Sequence, residues 1–411
     1  MATIAGVQPG IENIDMAVGR RKRMAAVVCA GFCSFLVLYA PQPLLPMLAD
    51  SFRVSVAAIS LVITVSTLAV AATAPLAGIL ADRWGCKRII VPAAFLLAVP
   101  TLLAATSAGL GTLLFWRFWQ GIFTPGIFVV TVAYINDEWE EGVGAAMAAY
   151  VTGTVLGGFC GRTLSALVAA HSSWHGAFVL LAAITLAGGL MIRAWLPHGR
   201  RSTRRARFSL RPTVGHLRNS HLLATYIVGF CLLFSLLGTF TYVNFYLAAP
   251  PFRLSTSALG LLYVVYLVGA AITPGAGRWI DRLGHRFTLA TALTGAIAGI
   301  LLTLVRSLPV VMVGLALVCT GGFVAQSAAS SYIGVVAREA RAAAVGLYVL
   351  FYYVGGSFGA GIPGHFWNFG GWPLCVTLIA AVQVLTISVT MLFWKPGPVH
   401  AAVEIAPPMG D

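Results

Sequence analysis

Two arginines inside long apolar segments, Arg117 and Arg162, are the residues of this chain best suited to recognition chemistry. Placing a guanidinium at membrane depth costs at least about 2.5 to 3.5 kcal/mol, so each must face protein or water rather than lipid. A planar cation with five N–H donors binds backbone carbonyls or an anionic group. We predict that both arginines lie at similar depth and share one cavity.

No Asp or Glu falls in the middle of a predicted span to neutralise these cations, and Asp50 is the nearest acid by depth. Either backbone carbonyls accept hydrogen bonds from the arginines, or the substrate supplies the negative charge. Both interpretations stay open for Arg117. For Arg162 we favour contact with the substrate or with a counter-charge.

The first apolar segment offers such carbonyls, because it contains Pro41, Pro43 and Pro46. Each proline lacks a backbone donor and leaves the carbonyl four residues earlier unpaired. Irregular backbone at membrane depth is tolerated where it lines a cavity. Tyr39 and Gln42, three residues apart on one helix face, are therefore predicted to line it.

The composition identifies a membrane protein. The chain of 411 residues has a mean hydropathy of +0.89, and 9% of its residues are charged, against about 25% in soluble domains. Its seven cysteines show no Cys-x-x-Cys spacing and no disulfide framework, so we interpret them as small core residues. We predict no catalytic centre, metal site or cofactor, and no removable signal peptide before the first apolar segment.

The length of the apolar segments predicts the fold class. About 20 apolar residues cross a bilayer, and on that basis we predict an all-α membrane protein with twelve spans in two six-helix repeats. The predicted spans are 24–48, 58–81, 88–107, 110–136, 143–170, 174–196, 221–248, 257–280, 287–305, 309–336, 343–367 and 370–394. The predicted domains are a tail (1–23), a bundle (24–196), a basic linker (197–220), a second bundle (221–394) and a tail (395–411).

The second half of the chain repeats the first at an offset of about 198 residues. Tyr150 corresponds to Tyr348, and glycines spaced four apart recur in the same register, which predicts close helix contact. The matched glycines are Gly157 and Gly161 with Gly355 and Gly359, and the Gly, Asp, Arg, Gly turn 78–85 matches 277–284. Several matches in one register indicate two copies of one unit, and an even number of spans per copy makes the copies parallel.

The distribution of basic residues predicts the orientation. Most loop arginines and lysines fall on one end of the predicted spans, so the positive-inside rule places both termini in the cytoplasm. The arginine-rich linker 197–220 is the main source of the net charge of +14. We interpret it as a topology anchor that lies on anionic lipid headgroups rather than as a nucleic-acid-binding segment.

Several motifs give nearly the whole chain a resemblance to the major facilitator superfamily. Gly78-x-x-Ala-Asp82-Arg83-x-Gly85-x-Lys87 resembles the family's loop motif between helices 2 and 3, and Arg117-x-x-Gln120-Gly121 resembles its helix 4 motif. The segments 38–46 and 153–162 resemble exporters of the acriflavin-sensitivity type within the drug/proton antiporter branch. Cys86 replaces a usual basic residue, and helix 5 lacks the typical Gly-Pro pair, which weakens the case for proton antiport.

The resemblance implies a conformational gate and a central path. The gate would hold the halves together in the outward-facing state, and its glycines would let neighbouring backbone approach closely. The gating candidates are Gly78, Asp82, Arg83, Gly85, Lys87, Asp137, Glu138, Asp281 and Arg282. The substrate-path candidates are Tyr39, Gln42, Arg117, Gln120, Arg162, Tyr242, Tyr246, Gln326 and Tyr352.

The implied function is a secondary transporter of a bacterial-type inner membrane, working as a monomer. It would export a small organic molecule, a drug or metabolite of anionic or sugar-like character, by alternating access. If protons move in exchange, Asp50 and Glu138 are the coupling candidates. A uniporter or exchanger of a small metabolite, and a ligand sensor of the same fold that does not transport, stay open as alternatives.

Overall fold

The computed structural model describes residues 9–139, 142–197, 216–337 and 341–395, and only the backbone of residues 9–18 and 341–342. All regular structure in these ranges is helical. The first half contains α1 (Pro9–Leu38), α2 (Leu45–Phe52), α3 (Val56–Trp84), α4 (Cys86–Ala104), α5 (Leu110–Glu138), α6 (Val143–His171) and α7 (Trp174–Trp195). The second half contains α8 (Ser220–Ala248), α9 (Thr256–Leu261), α10 (Val264–Ile272), α11 (Ala276–Leu302), α12 (Leu308–Val336), α13 (Arg341–Gly361) and α14 (Pro363–Phe393).

The predicted membrane fold is confirmed. In the described ranges, eleven helical segments are long and apolar enough to cross a bilayer. One of them, Thr256–Leu302, is interrupted at Gly284, whose φ of 75° lies in the left-handed region. Division at this glycine gives the twelve predicted spans.

The first span differs from a single helix over 24–48. It begins earlier, at Pro9, because residues 10–23 contain no proline and hydropathy marks the membrane boundary rather than the helix end. It breaks after Leu38, continues as a single 3₁₀ turn over Gln42–Leu44, and resumes as α2. The break expected from the prolines is therefore present.

The paired glycines confirm the predicted close helix contact within each of the two repeats. α6 lies against α1 so closely that a Cβ on Gly157 would be 2.1 Å from the carbonyl oxygen of Phe32. In the second half, α13 lies against α8, and a Cβ on Gly355 would be 2.0 Å from the carbonyl oxygen of Phe230. Only glycine permits this approach of two backbones.

A second repeated feature, absent from the sequence reasoning, follows the first span of each half. Arg53 and Arg253 both adopt positive φ values, 54° and 49°. The next helix then starts at a serine whose hydroxyl accepts a hydrogen bond from a backbone N–H, at Ser55 and at Ser255. Serine is a favoured residue at this capping position.

The two halves meet where α3 packs on α13 and where α6 packs on α9 and α10. We call the end of the bundle that carries the α3–α4 turn, with Arg83 and Lys87, the basic end, and the other the opposite end. Three side-chain hydrogen bonds join the halves in the described ranges: Gln42 to Thr241, Thr163 to the carbonyl of Gly260, and Ser357 to Thr67. All three lie nearer the opposite end, so the side-chain hydrogen bonds between the halves are concentrated there.

Candidate substrate site

Arg117 lies on α5 with none of its surface exposed. Its Nε donates to the carbonyl of Val62 at 3.1 Å, its Nη1 to that of Val37 at 3.1 Å, and its Nη2 to that of Leu38. The carbonyls of Val37 and Leu38 are available because α1 ends there, before Pro41. The guanidinium therefore completes the hydrogen bonding of a broken helix.

The rest of the helix 4 motif fixes α5 against its neighbours. Gln120 accepts a hydrogen bond from Arg117 through Oε1, and its Nε2 donates to the hydroxyl of Thr101 at 3.3 Å. A Cβ on Gly121 would lie 2.3 Å from the carbonyl oxygen of Ser66 on α3. The contacts of this motif all lie within the first half of the chain.

Arg162 lies on α6 and is 2% exposed. Its Nε donates to Oε1 of Gln42 at 2.7 Å, and its Nη1 donates to the carbonyl of Gly158 at 2.8 Å. Three tyrosine rings surround the guanidinium carbon, that of Tyr39 at 5.0 Å and those of Tyr263 and Tyr266 at 4.7 Å. Cation–π attraction of this kind strengthens when the cation is removed from water.

The two arginines have separate partners. Arg117 is bonded to carbonyls and to Gln120, whereas Arg162 is bonded to Gln42 and Gly158, and the two share no hydrogen-bond acceptor. The single cavity expected for both therefore stays a prediction.

The tyrosines around Arg162 differ in their hydrogen bonding. The hydroxyl of Tyr263 donates to the carbonyl of Phe240 at 3.0 Å and accepts from Nδ2 of Asn244 at 2.9 Å. The hydroxyl of Tyr266 is buried without a partner among the described residues, as is Oδ1 of Asn244. Unpaired buried polar atoms are rare and call for an explanation.

The sequence-based candidates missed these tyrosines because the family resemblance favours helices 1, 4, 7 and 10 for the path, and no candidate was drawn from the eighth span, to which both belong. Tyr263 and Tyr266 stand three residues apart, which places them on one helix face. The fifth and eighth spans pack together. This pair of tyrosines on one helix face is therefore the sequence feature that could have indicated neighbours for Arg162.

The other substrate-path candidates lie in separate groups. The hydroxyl of Tyr242 donates to the carbonyl of Ala360 at 2.6 Å, and the ring of Tyr246 stacks on Trp372 at 5.7 Å. Gln326 accepts a hydrogen bond at 2.7 Å from Tyr348, whose ring lies 6.0 Å from that of Tyr352. The structure shows none of these four candidates in contact with Arg162.

The loop motif forms a tight turn at the basic end. Gly85 has a φ of 92°, and Gly284 repeats this conformation with a φ of 75°. A Cβ on Gly78 or on Gly85 would meet no atom within 4 Å. The expected close approach of backbone at these two glycines is therefore wrong for this structure, and Gly85 is needed for its backbone angle instead.

A scan against family models matches residues 27–334 and 247–408 to the Major Facilitator Superfamily. The chain is 32% identical over 390 residues to the uncharacterized MFS-type transporter YybF of Bacillus subtilis (strain 168), covering 94% of this chain and 95% of that protein. The chain belongs to the major facilitator superfamily. The resemblance to this superfamily and the predicted multi-pass membrane localisation are thereby confirmed. The family consists of transporters rather than enzymes.

Two further similarities agree with this membership. The inner membrane transport protein YnfM of Escherichia coli (strain K12) is 31% identical over 373 residues, covering 89% of this chain and 88% of that protein. The fold matches the crystal structure of a mutant form of the nucleoside transporter NupG with a TM-score of 0.73 at 17% identity, covering 90% of this chain and all of the other.

The charged gating candidates of this superfamily member do not form a closed network in the structure. The side chains of Asp82, Arg83, Asp137, Asp281 and Arg282 are exposed, and those of Lys87 and Glu138 are half-buried. This is consistent with the halves being joined by hydrogen bonds at the opposite end. Their gating role stays a prediction.

Arg23 makes an unpredicted contact with the C-terminal end of α5. Arg23 donates from Nη2 to the backbone carbonyl of Glu138 at 2.5 Å, and its guanidinium lies 4.0 Å from the ring centre of Trp139. A cation at a helix C-terminus interacts favourably with the helix dipole. Arg23 therefore anchors the C-terminal end of α5.

The proton-coupling candidates lie at helix ends rather than beside Arg162. Asp50 is exposed near the end of α2, and Glu138 is the last residue of α5, at the basic end. The described residues contain no cluster of His, Cys, Asp and Glu that could hold a metal ion. The basic linker at 198–215 and the acidic residues Glu140 and Glu141 lie outside the described residues.

Proposed function

We propose that this superfamily member transports a small organic anion by alternating access and that Arg162 binds the anionic group. The main evidence for the proposal is the set of groups that contact this buried cation. Its hydrogen bonds go to one amide oxygen and one helix carbonyl, and its remaining neighbours are tyrosine rings. None of these groups carries a negative charge, so an anionic ligand would supply the missing one.

The position of Arg162 supports alternating access. Its guanidinium contacts Gln42 and Tyr39 from the first half and Tyr263 and Tyr266 from the second. Rocking one half against the other would separate these two sets of neighbours. An anion held among them would then be exposed to one side of the membrane and later to the other.

We propose export as the direction, with both termini in the cytoplasm and the basic linker on anionic lipid. The exposure of Asp50 and the location of Glu138 at the basic end favour substrate exchange or uniport as a second candidate for the coupling mode. Proton antiport would require a titratable group whose proton binding is linked to that of the substrate.

The test is counterflow in proteoliposomes preloaded with labelled organic anions, matched neutral amides and matched amines. We expect the anions to exchange and the other two classes to exchange weakly. Arg162→Gln should abolish the preference for anions while the protein stays folded. Unchanged flux and unchanged charge preference in this variant would contradict the proposal.

The coupling mode, the topology and the alternative of a ligand sensor need separate measurements. A flux that responds to an imposed pH gradient at zero membrane potential supports proton antiport, whereas insensitivity supports exchange or uniport. Protease accessibility of tags at both termini in oriented vesicles tests the topology. Ligand-dependent thermal stabilisation without any counterflow would identify a sensor and would contradict transport.

A further inference from the structure

A continuous row of aromatic rings runs from Arg162 across the junction of the two halves. Tyr39 lies beside the guanidinium, and its ring centre is 6.4 Å from that of Phe35. Phe35 contacts Phe128 at 5.8 Å, and Phe128 contacts Tyr353 of the second half at 5.6 Å. Ring centroids at 4.5 to 7 Å are in the range of favourable aromatic pairs.

Two groups at the start of this row have unused hydrogen-bond donors. Among the described residues, the hydrogen bonds of Arg162 use Nε and Nη1, so its Nη2 donors are available to another acceptor. The Tyr266 hydroxyl, whose ring lies 4.7 Å from the guanidinium carbon, is without a partner among the described residues although the residue is only 8% exposed.

We infer that the substrate is an aromatic carboxylate. Its carboxylate would accept hydrogen bonds from Arg162 and from the hydroxyl of Tyr266, and its flat body would lie along the rings of Tyr39, Phe35 and Phe128. This inference rests on the proposed function and adds the nature of the apolar part of the substrate and a second residue that recognises the anion.

The chemistry of the surroundings favours this class over other anions. The guanidinium is a single positive charge, and its neighbours are neutral. One guanidinium with one hydroxyl matches a monoanion with two oxygens, whereas a phosphate dianion is bound by several cationic groups. Aromatic walls favour a planar body over a hydroxylated sugar, which needs a hydrogen-bond partner for each hydroxyl.

Tyr266 is therefore the proposed specificity-determining residue, and the chain offers a matched control. Tyr226 also has a buried hydroxyl without a partner among the described residues, and its ring stacks on Phe351 at 5.5 Å, in contact with neither Arg162 nor the aromatic row. Tyr266→Phe and Tyr226→Phe each remove one unpaired buried hydroxyl. Only the first should change ligand recognition.

The test uses the full chain in lipid nanodiscs and measures binding of three probes by calorimetry. The probes are 2-naphthoate, its saturated analogue decahydro-2-naphthoate, and the neutral 2-naphthamide. We expect 2-naphthoate to bind about tenfold or more tightly than either of the others. Equal binding of the two carboxylates, both stronger than the amide, would overturn the aromatic part and leave the proposed anion transport intact.

Equal binding of 2-naphthoate and 2-naphthamide would instead contradict the anion site of the proposed function. The absence of 2-naphthoate binding would overturn the further inference, while counterflow of other anions decides the function separately. Tyr266→Phe should weaken 2-naphthoate about tenfold with unchanged thermal stability in the absence of ligand, and Tyr226→Phe should leave the affinity unchanged. Equal affinity in the wild type and in Tyr266→Phe would remove this residue from recognition.

Discussion

The two buried arginines show how one residue type is held by two different sets of partners. Arg117 is bonded to backbone carbonyls on α1 and α3 and to Gln120, all within one half of the molecule. Arg162 is held by a side-chain amide, one helix carbonyl and rings from both halves. Fixed backbone acceptors suit a structural cation, whereas side chains from both halves, which the proposed alternating access would separate, suit a cation that binds a ligand.

Stability gives the largest expected difference between the two arginines. Arg117→Met leaves the carbonyls of Val37 and Leu38 and Oε1 of Gln120 without this donor in the protein interior. The carbonyl of Val62, inside α3, still accepts from the hydroxyl of Ser66. Unsatisfied buried groups cost about 1 to 3 kcal/mol each, so we expect about 3 kcal/mol or more to be lost. Thermal unfolding and yield of monodisperse protein measure this loss.

The matched change Arg162→Met should be milder, because it leaves one buried acceptor, Oε1 of Gln42, without its donor, whereas the carbonyl of Gly158 lies inside α6. An equal loss of stability in both variants would show that Arg162 is also a structural cation. That result would remove the comparison on which the anion site depends.

The second prediction concerns the glycine beside Arg162. A Cβ on Gly161 would lie 1.9 Å from the carbonyl oxygen of Leu36, so Gly161→Ala must push α6 away from α1. Forced overpacking typically costs about 1 to 3 kcal/mol. We expect this loss together with weaker anion binding, because Arg162 would move away from Gln42.

The corresponding glycine of the second repeat is the control for that experiment. A Cβ on Gly359 would lie 2.2 Å from the carbonyl oxygen of Phe234, a similar clash, but the residue that follows is Ala360 rather than an arginine. Gly359→Ala should lose similar stability and keep more of its anion affinity. If both variants lose affinity equally, the effect is global and gives no information on Arg162.

The third prediction uses the glutamine bound to each arginine. Gln120→Leu removes the acceptor for Nη1 of Arg117, and Gln42→Leu removes the acceptor for Nε of Arg162. Hydrogen bonds to charged groups contribute about 1.5 to 3 kcal/mol. We expect the first substitution to lower thermal stability and the second to lower anion affinity about tenfold or more. If Gln120→Leu lowered anion affinity and Gln42→Leu lowered only thermal stability, the roles proposed for the two arginines would be reversed.

The features that follow from local sequence were predictable. Hydropathy located the spans, prolines located the break in the first span, and the spacing of glycines located the face of α6 that makes close helix contact. Each depends on neighbours in the chain or on one helix face. The duplication then transferred these expectations to the second half.

The tyrosine cluster around Arg162 was not predictable in the same way. Tyr263 and Tyr266 meet Arg162 only because the eighth span packs on the fifth, a contact between residues about a hundred positions apart. The internal repeat does not predict these contacts, because the position in the second half that corresponds to Arg162 is Ala360. The proposed recognition residue Arg162 therefore lies at a position where the two copies diverge.

The smallest effect is expected at Gly78, which tests whether a motif glycine packs in the way that Gly161 does. Its Cβ position is open in this structure, and it lies inside α3 with ordinary helical geometry. Gly78→Ala should therefore raise stability by about 0.5 to 1 kcal/mol, with unchanged counterflow. Thermal unfolding and flux are measured on the same preparation. Raised stability with reduced flux would mean that backbone approaches Gly78 when the basic end closes, and it would support the predicted gating role of this glycine.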